Sequence, residues 1–157
     1  MYLQYKSILI DSLHYCQQEK GLEVFAWCIM TNHVHLIFRS TGKQSPELLI
    51  GDFKRFTSKS IVRAIKENPQ ESRNEFLVDQ LLKAGSQSSN VKTYQFWRHD
   101  NKPIELWSNK EIDEKLNYVY NNPVEEGIFF RAEDYLYSSA TDYAGEKGLL
   151  NNVIVIE

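Results

Sequence analysis

The chain has 157 residues, of which 42% are hydrophobic and 25% charged, with a formal net charge of −3. That length suits a single domain, residues 1–157, around one core, and no apolar run approaches the ~20 residues of a spanning helix, so no membrane role is expected. The acidic balance argues against a partner held by whole-molecule charge, so any nucleic acid must meet a local basic patch. Residues 1–20 lack the basic start, apolar middle and small-residue cleavage site of a secretory signal, which makes the cytoplasm the expected location. Cys16 and Cys28 fall on apolar faces and read as small core residues, not as a disulfide or metal framework.

Tyr5, Leu9, Leu13 and Cys16 recur at helical spacing and predict an amphipathic helix over 3–19, stopped by Gly21. EVFAWCIM, residues 23–30, predicts a buried strand; a turn at Thr31-Asn32 leads to a second strand over 33–39, and the two should pair as a hairpin. From Pro46 to Lys66 the pattern is helical again, with Leu49, Phe53, Ile61, Ala64 and Ile65 as its apolar side. Arg55, Lys59, Arg63 and Lys66 line up one turn apart on the other side with Lys54 beside them, and form the basic patch. ENPQES, 67–72, breaks this helix; a shorter one is expected over 73–84, followed by a polar loop at GSQSSN, 85–90.

YQFW and PIELW, 94–97 and 103–107, flank the turn-forming HDNK and predict a second pair of short strands. Ser108 and Glu111 have the spacing of a capping box, so a helix should begin at 109 and run to Asn122, because Pro123 disfavours helical geometry in the residue before it. The aromatic stretch from Gly127 to Gly145 has no clear pattern, and VIVI, 153–156, reads as an edge strand or an ordered tail.

Two constellations stand out. His33 and His35 flank Val34, and on a strand they project to one face about 7 Å apart at the backbone, given a rise of ~3.3 Å per residue. Two imidazoles so placed can converge on one ion, although an arbitrary His-x-His is more often a partly exposed pair satisfied by backbone groups, and a metal needs a third ligand. A histidine-triad hydrolase would place another His at position 37, which is Ile37. In LNYVYNNPVEEG, 116–127, Ile112, Leu116 and Val119 form the buried stripe, Tyr118 and Asn122 share one flank, and Tyr120 takes the opposite one. A core tyrosine followed by a C-capping asparagine explains the same spacing without chemistry.

WCIMTNHVHLIF, followed about eighty residues later by YVYNNPVEEG, resembles the single-tyrosine HUH transposases, in particular the REP-associated tyrosine transposases; GDFKRFTSKSI and EDYLYSS extend the likeness over nearly the whole chain. The resemblance implies an α+β domain with a ferredoxin-like, mainly antiparallel sheet and packed helices. It implies His33, His35 and Asn122 as ligands of a divalent metal, Mg²⁺ or Mn²⁺, and Tyr118 as the nucleophile. A phenol is a weak nucleophile at neutral pH, and a cation on a non-bridging phosphate oxygen makes the phosphorus more electrophilic. The implied activity is a single-stranded DNA endonuclease and strand transferase, acting at DNA hairpins through a 5′-phosphotyrosine.

Members of that family begin with a strand ahead of the first helix, whereas this sequence opens in the helix, so the usual first strand is expected to be missing or supplied otherwise. Two rival readings are a catalytically inactive hairpin-binding relative and an unrelated metal-dependent hydrolase that uses water. Trp97 and Trp107 are candidates for stacking on bases or for core positions. The oligomeric state, monomer or homodimer, stays open.

Overall fold

The computed structural model describes residues 3–69, 72–87, 93–98 and 103–156. Among these residues it is an α+β chain with five α-helices: α1 (Leu3–Lys20), α2 (Pro46–Glu67), α3 (Asn74–Ser86), α4 (Asn109–Glu125) and α5 (Ala140–Tyr143). Two strands, β1 (Leu22–Ile29) and β2 (Val34–Ser40), form an antiparallel sheet. The chain divides into two compact units, Met1–Leu49 with Ile104–Glu157, and Ile50–Pro103.

In the first unit Tyr5, Leu9, Leu13 and Cys16, spaced along one side of α1, are all buried, as their spacing predicts. Gly21 ends that helix at φ 72°, and a Cβ there would meet the Gly42 nitrogen at 2.5 Å. Only glycine fits both the left-handed backbone and the close approach. The carbonyl of Gly21 then accepts from Thr41 N at 2.9 Å and ties the open end of the hairpin.

β1 is buried along most of its length and is flanked on both edges. β2 lies on one edge, in a register that sets Cys28 opposite His35 and Ile29 opposite Val34. The other edge is closed by chain from far along the sequence. Cys28 bridges Ser138 antiparallel, Ile29 N donates to Tyr137 O and Ser139 N to Trp27 O, each at 2.9 Å, and Ile154 N donates to Val24 O at 2.9 Å. VIVI is thus an ordered tail with one bridge to β1, at Val153. A bulge between Val24 and Ala26 frees the Phe25 carbonyl, which accepts from Tyr143 Oη at 3.0 Å.

α4 packs on the face of β1 that carries Ala26 and Cys28, continued by Met30 just past the strand, and contributes Leu116 and Val119 to a cluster closed by Tyr135. Ser108 Oγ accepts from Glu111 N and Glu111 Oε2 from Ser108 N, so the predicted capping box is present. The predicted end at Asn122 is wrong: the helix passes through Pro123 to Glu125. Proline removes one backbone donor, but here it is fully buried, and the true stop lies at Gly127, φ 68°. Gly127 N donates to Val124 O and Ile128 N to Pro123 O, both at 2.9 Å, the two bonds of a Schellman motif. No atom lies within 4 Å of a Cβ built on Gly127, so Gly127→Ala carries only the cost of the left-handed conformation. We expect a loss of about 1 kcal/mol, measurable as a lower urea midpoint with an unchanged slope.

In the second unit Phe53, Ile61, Val62 and Ile65 are buried along α2, and α3 follows where a short helix was expected. The predicted strands at 94–97 and 103–107 do not form: residues 94–98 and 103–107 carry no strand. Instead Trp97 packs on Phe53 with ring centroids 6.1 Å apart and donates its Nε1–H to Thr57 Oγ1 at 2.9 Å. Side-chain docking onto α2, not a backbone ladder, uses the β-prone aromatics here. The predicted HDNK turn, 99–102, and the end of the polar loop, 88–90, lie outside the described residues; Gly85 and Ser86 belong to α3.

Candidate active site at the hairpin and helix α4

His33 lies in the turn, one residue before β2, and His35 is the second residue of the strand. The turn is closed by Met30 N donating to His33 O at 2.9 Å. Although only one of the two is on the strand, their rings lie together, centroids 4.7 Å apart and nearly perpendicular. His35 shares the α4 face because it stands opposite Cys28. There the Tyr118 ring reaches it edge-on, centroids 5.1 Å apart, and Asn122 Oδ1 lies 3.3 Å from His33 Nε2. All four predicted site residues therefore meet at one place in the first unit.

Tyr118 is 46% exposed, whereas Asn122 is buried. Tyr120 faces away: its ring lies 4.7 Å from that of Tyr143, and burial, with the Tyr143 phenol beside it, pushes its pKa up. Two residues apart on a helix turns the side chains by about 200°, and the two phenols part accordingly.

The ring nitrogens of the two histidines face side-chain amides and one buried position without a partner. His33 Nδ1 lies 2.6 Å from Asn32 Oδ1 while its Nε2 faces Asn122 Oδ1. One ring proton serves both contacts if the Asn122 amide turns to donate its Nδ2–H to His33 Nε2. With Asn122 Oδ1 toward the ring and Nδ1–H donating to Asn32, the Nε2 lone pair and the amide oxygen leave a position that a cation could take. His35 Nε2 is buried and has no hydrogen-bond partner; Asn122 is near it too, but the contact of hydrogen-bond geometry is the one to His33. Burial, then His33, holds the His35 pKa below its ordinary value, which keeps the ring neutral and its lone pair available. No group of three or more His, Cys, Asp or Glu side chains suited to a metal occurs among the described residues, so a third donor beside the two histidines would have to be of another kind, such as the amide of Asn122. Two imidazole nitrogens and one amide oxygen, with an orphaned buried lone pair, fit a divalent ion that also takes oxygen ligands from a phosphate. The sequence reading missed Asn32, whose side-chain oxygen lies 2.6 Å from the far nitrogen of the candidate ligand His33; its position directly before His33 in a turn was the available signal.

The basic residues of α2 fall in the second unit and are mostly engaged. Arg55 pairs with Asp52 at 3.4 Å and Arg63 with Glu67 at 3.0 Å. Lys66 donates to Tyr94 Oη at 2.7 Å and caps its ring, and Lys54 donates to Arg98 O at 3.1 Å with its ammonium 5.7 Å from the Trp97 centroid. Lys59 is exposed. Exposed pairs of this kind are weak and exchange readily for other partners. Trp107, beside the N-cap of α4, is 82% exposed, whereas Trp97 is half-buried against α2.

Sequence comparison supplies the class of protein, a transposase: the family model described as Transposase IS200 like matches residues 2–94. The match spans more than half of the chain, and the chain belongs to this family. It includes His33 and His35 and ends before Tyr118 and Asn122. No curated protein and no solved structure matches the chain. Membership brings a transposase role and DNA as partner, and among the described residues no helix is long and apolar enough to cross a membrane.

Proposed function

We propose that this transposase is a metal-dependent endonuclease and strand transferase for single-stranded DNA, working beside a DNA hairpin through a covalent bond to Tyr118. The observation that carries the reading is the convergence of the Tyr118 ring with the His33–His35 pair, while Tyr120 is turned into the core. His33, His35 and Asn122 would hold a divalent ion, Mn²⁺ or Mg²⁺. When bound, that ion supplies charge withdrawal from a non-bridging oxygen of the scissile phosphate.

The chain's own groups do the rest. Asn32 keeps the His33 ring in one tautomer, and α4 holds the Tyr118 hydroxyl on the side of the imidazoles. Tyr118 Oη attacks phosphorus, the P–O3′ bond breaks, and the departing 3′ oxygen takes up a proton as a hydroxyl while the phenol gives one up. The 5′ phosphate stays on Tyr118 as a phosphodiester, so a later 3′ hydroxyl can displace the phenol and rejoin DNA without another energy source. The test is incubation with labelled single-stranded hairpins and Mn²⁺, followed by denaturation. A surviving protein–DNA adduct supports the reading, cleavage without an adduct points to water as nucleophile, and binding alone points to an inactive relative.

The exposed basic residues of α2 offer phosphate contacts. With about four phosphates neutralised, log affinity should fall against log salt with a slope of roughly −3. Removing Arg55 and Lys59 together should make that slope shallower by about 1.5 to 2 units. A salt titration that gives the same slope for both proteins would mean that this face is only solvated.

A further inference from the structure

Lys6 on α1 is buried, 7% exposed, yet it takes part in none of the ion pairs among the described residues. Its Nζ donates instead to Tyr135 Oη at 2.5 Å, and stands 5.0 Å and 4.6 Å from the ring centroids of Tyr135 and Tyr137. Burial lowers the Lys6 pKa, with Cys28 partly opposing the shift. Tyr135 is buried as well, and donates to Ile29 O at 2.6 Å. Burial, with Cys28 next in effect, pushes its pKa up to about 12. The phenol therefore keeps its proton at neutral pH, and the direction of both bonds is set: ammonium to phenol oxygen, phenol proton to backbone carbonyl.

The end point of this relay is informative. Ile29 is the last residue of β1, its N–H is held by Tyr137 O at 2.9 Å, and its register partner is Val34, between the two histidines. The next residue, Met30, closes the turn on the carbonyl of His33. An ammonium buried without a counter-ion is costly, and a methionine or leucine would fill the same volume at no such cost. Packing alone does not explain a lysine here.

We infer that Lys6 and Tyr135 are positioning residues: by pinning the Ile29 carbonyl they fix the point from which the His33 turn departs, and so hold the imidazole pair in place against α4. The pinning itself stands on the hydrogen bonds; its effect on a metal rests on the function proposed above. Neither residue touches the ion or DNA in this reading.

The test separates pinning from general stability. Tyr135→Phe keeps the ring and its packing on Phe129, and Lys6→Met keeps the length of the chain. Leu13→Ala, in the buried side of α1, serves as a control that lowers stability without touching the relay. Amide hydrogen exchange is followed by NMR, comparing Met30 N–H, which closes the turn, with Ser139 N–H, which bonds Trp27 O in mid-strand. In Tyr135→Phe and Lys6→Met the Met30 rate should rise at least ~10-fold relative to Ser139, and in Leu13→Ala the ratio should stay at its wild-type value. Mn²⁺ affinity, read by water-proton relaxation, should fall about 10-fold in the two relay variants and hold in the control.

An unchanged exchange ratio in either relay variant that folds overturns the pinning. A raised ratio with undiminished Mn²⁺ affinity overturns the link to the site. A raised ratio in a protein whose wild type binds no Mn²⁺ leaves the pinning standing and removes the metal reading alone.

Discussion

Tyr118→Phe should bind hairpin DNA with wild-type affinity and form no covalent adduct. The substitution keeps the aromatic ring that meets His35 edge-on, so the packing of α4 against the hairpin is preserved. It removes the one hydroxyl placed to attack. Tyr120 cannot take over, because its phenol is buried beside Tyr143 and holds its proton more firmly than an ordinary tyrosine. The expected loss of cleavage is at least ~10³-fold, about 4 kcal/mol of barrier. Tyr120→Phe should cleave at nearly the wild-type rate. Mass spectrometry of the trapped peptide reads the outcome directly: the nucleotide belongs on Tyr118, and a modified Tyr120 would end this mechanism.

His35→Ala should lose Mn²⁺ affinity by at least ~100-fold, together with cleavage, while its thermal midpoint falls little. Partners of metal ligands alone are worth roughly 10- to 100-fold, and a ligand should exceed them. Stability is a different matter. His35 Nε2 is buried without a partner of hydrogen-bond geometry, so its removal costs chiefly the ring contacts with His33 and Tyr118 and relieves an unsatisfied polar atom. A purely structural histidine would give the opposite pattern, a large fall in midpoint and no change in metal binding. The pH dependence follows from the same group. Protons compete with the ion for the imidazole lone pair, and the His35 pKa is lowered by burial and by His33. Its contribution to affinity should therefore persist below the ordinary histidine range and weaken only as pH falls through that lowered value. Titrating Mn²⁺ binding across acidic pH measures it.

What was legible in the sequence was whatever a short stretch decides by itself. The helical spacing of Tyr5, Leu9, Leu13 and Cys16, the hairpin around Thr31-Asn32, the capping box at Ser108 and Glu111, and the parting of Tyr118 from Tyr120 all depend on local periodicity, and all are present. The convergence of the four candidate residues rested on the family resemblance, since periodicity alone does not join residue 33 to residue 122. What was not legible depended on distant partners. YQFW has the composition of a strand, but Phe53 and Thr57 receive Trp97 as a side chain, and among the described residues it joins no ladder. Pro123 reads as a stop, yet Gly127 provides a better one and burial favours the extra turn. The cover on β1 and the Lys6–Tyr135 pair join residues more than a hundred positions apart, beyond the reach of any sequence window.

The closure of β1 by residues 137–139 and 153–154 also bears on how the protein is made. A ribosome releases the histidine hairpin about a hundred residues before the segment that covers its outer edge. At ~5–20 residues per second that interval lasts on the order of 5 to 20 seconds. During it the nascent chain carries an open strand edge, and the tyrosine helix, residues 109–125, emerges only in its last part. The His33–His35 pair and Tyr118 thus come together late in translation, and under the proposed function a polysome would not display a competent nuclease to nearby DNA. The same delay leaves the half-made sheet exposed to pairing with neighbouring chains, so slower elongation past residue 40 should lower the yield of folded protein even though no contact in the finished molecule has changed.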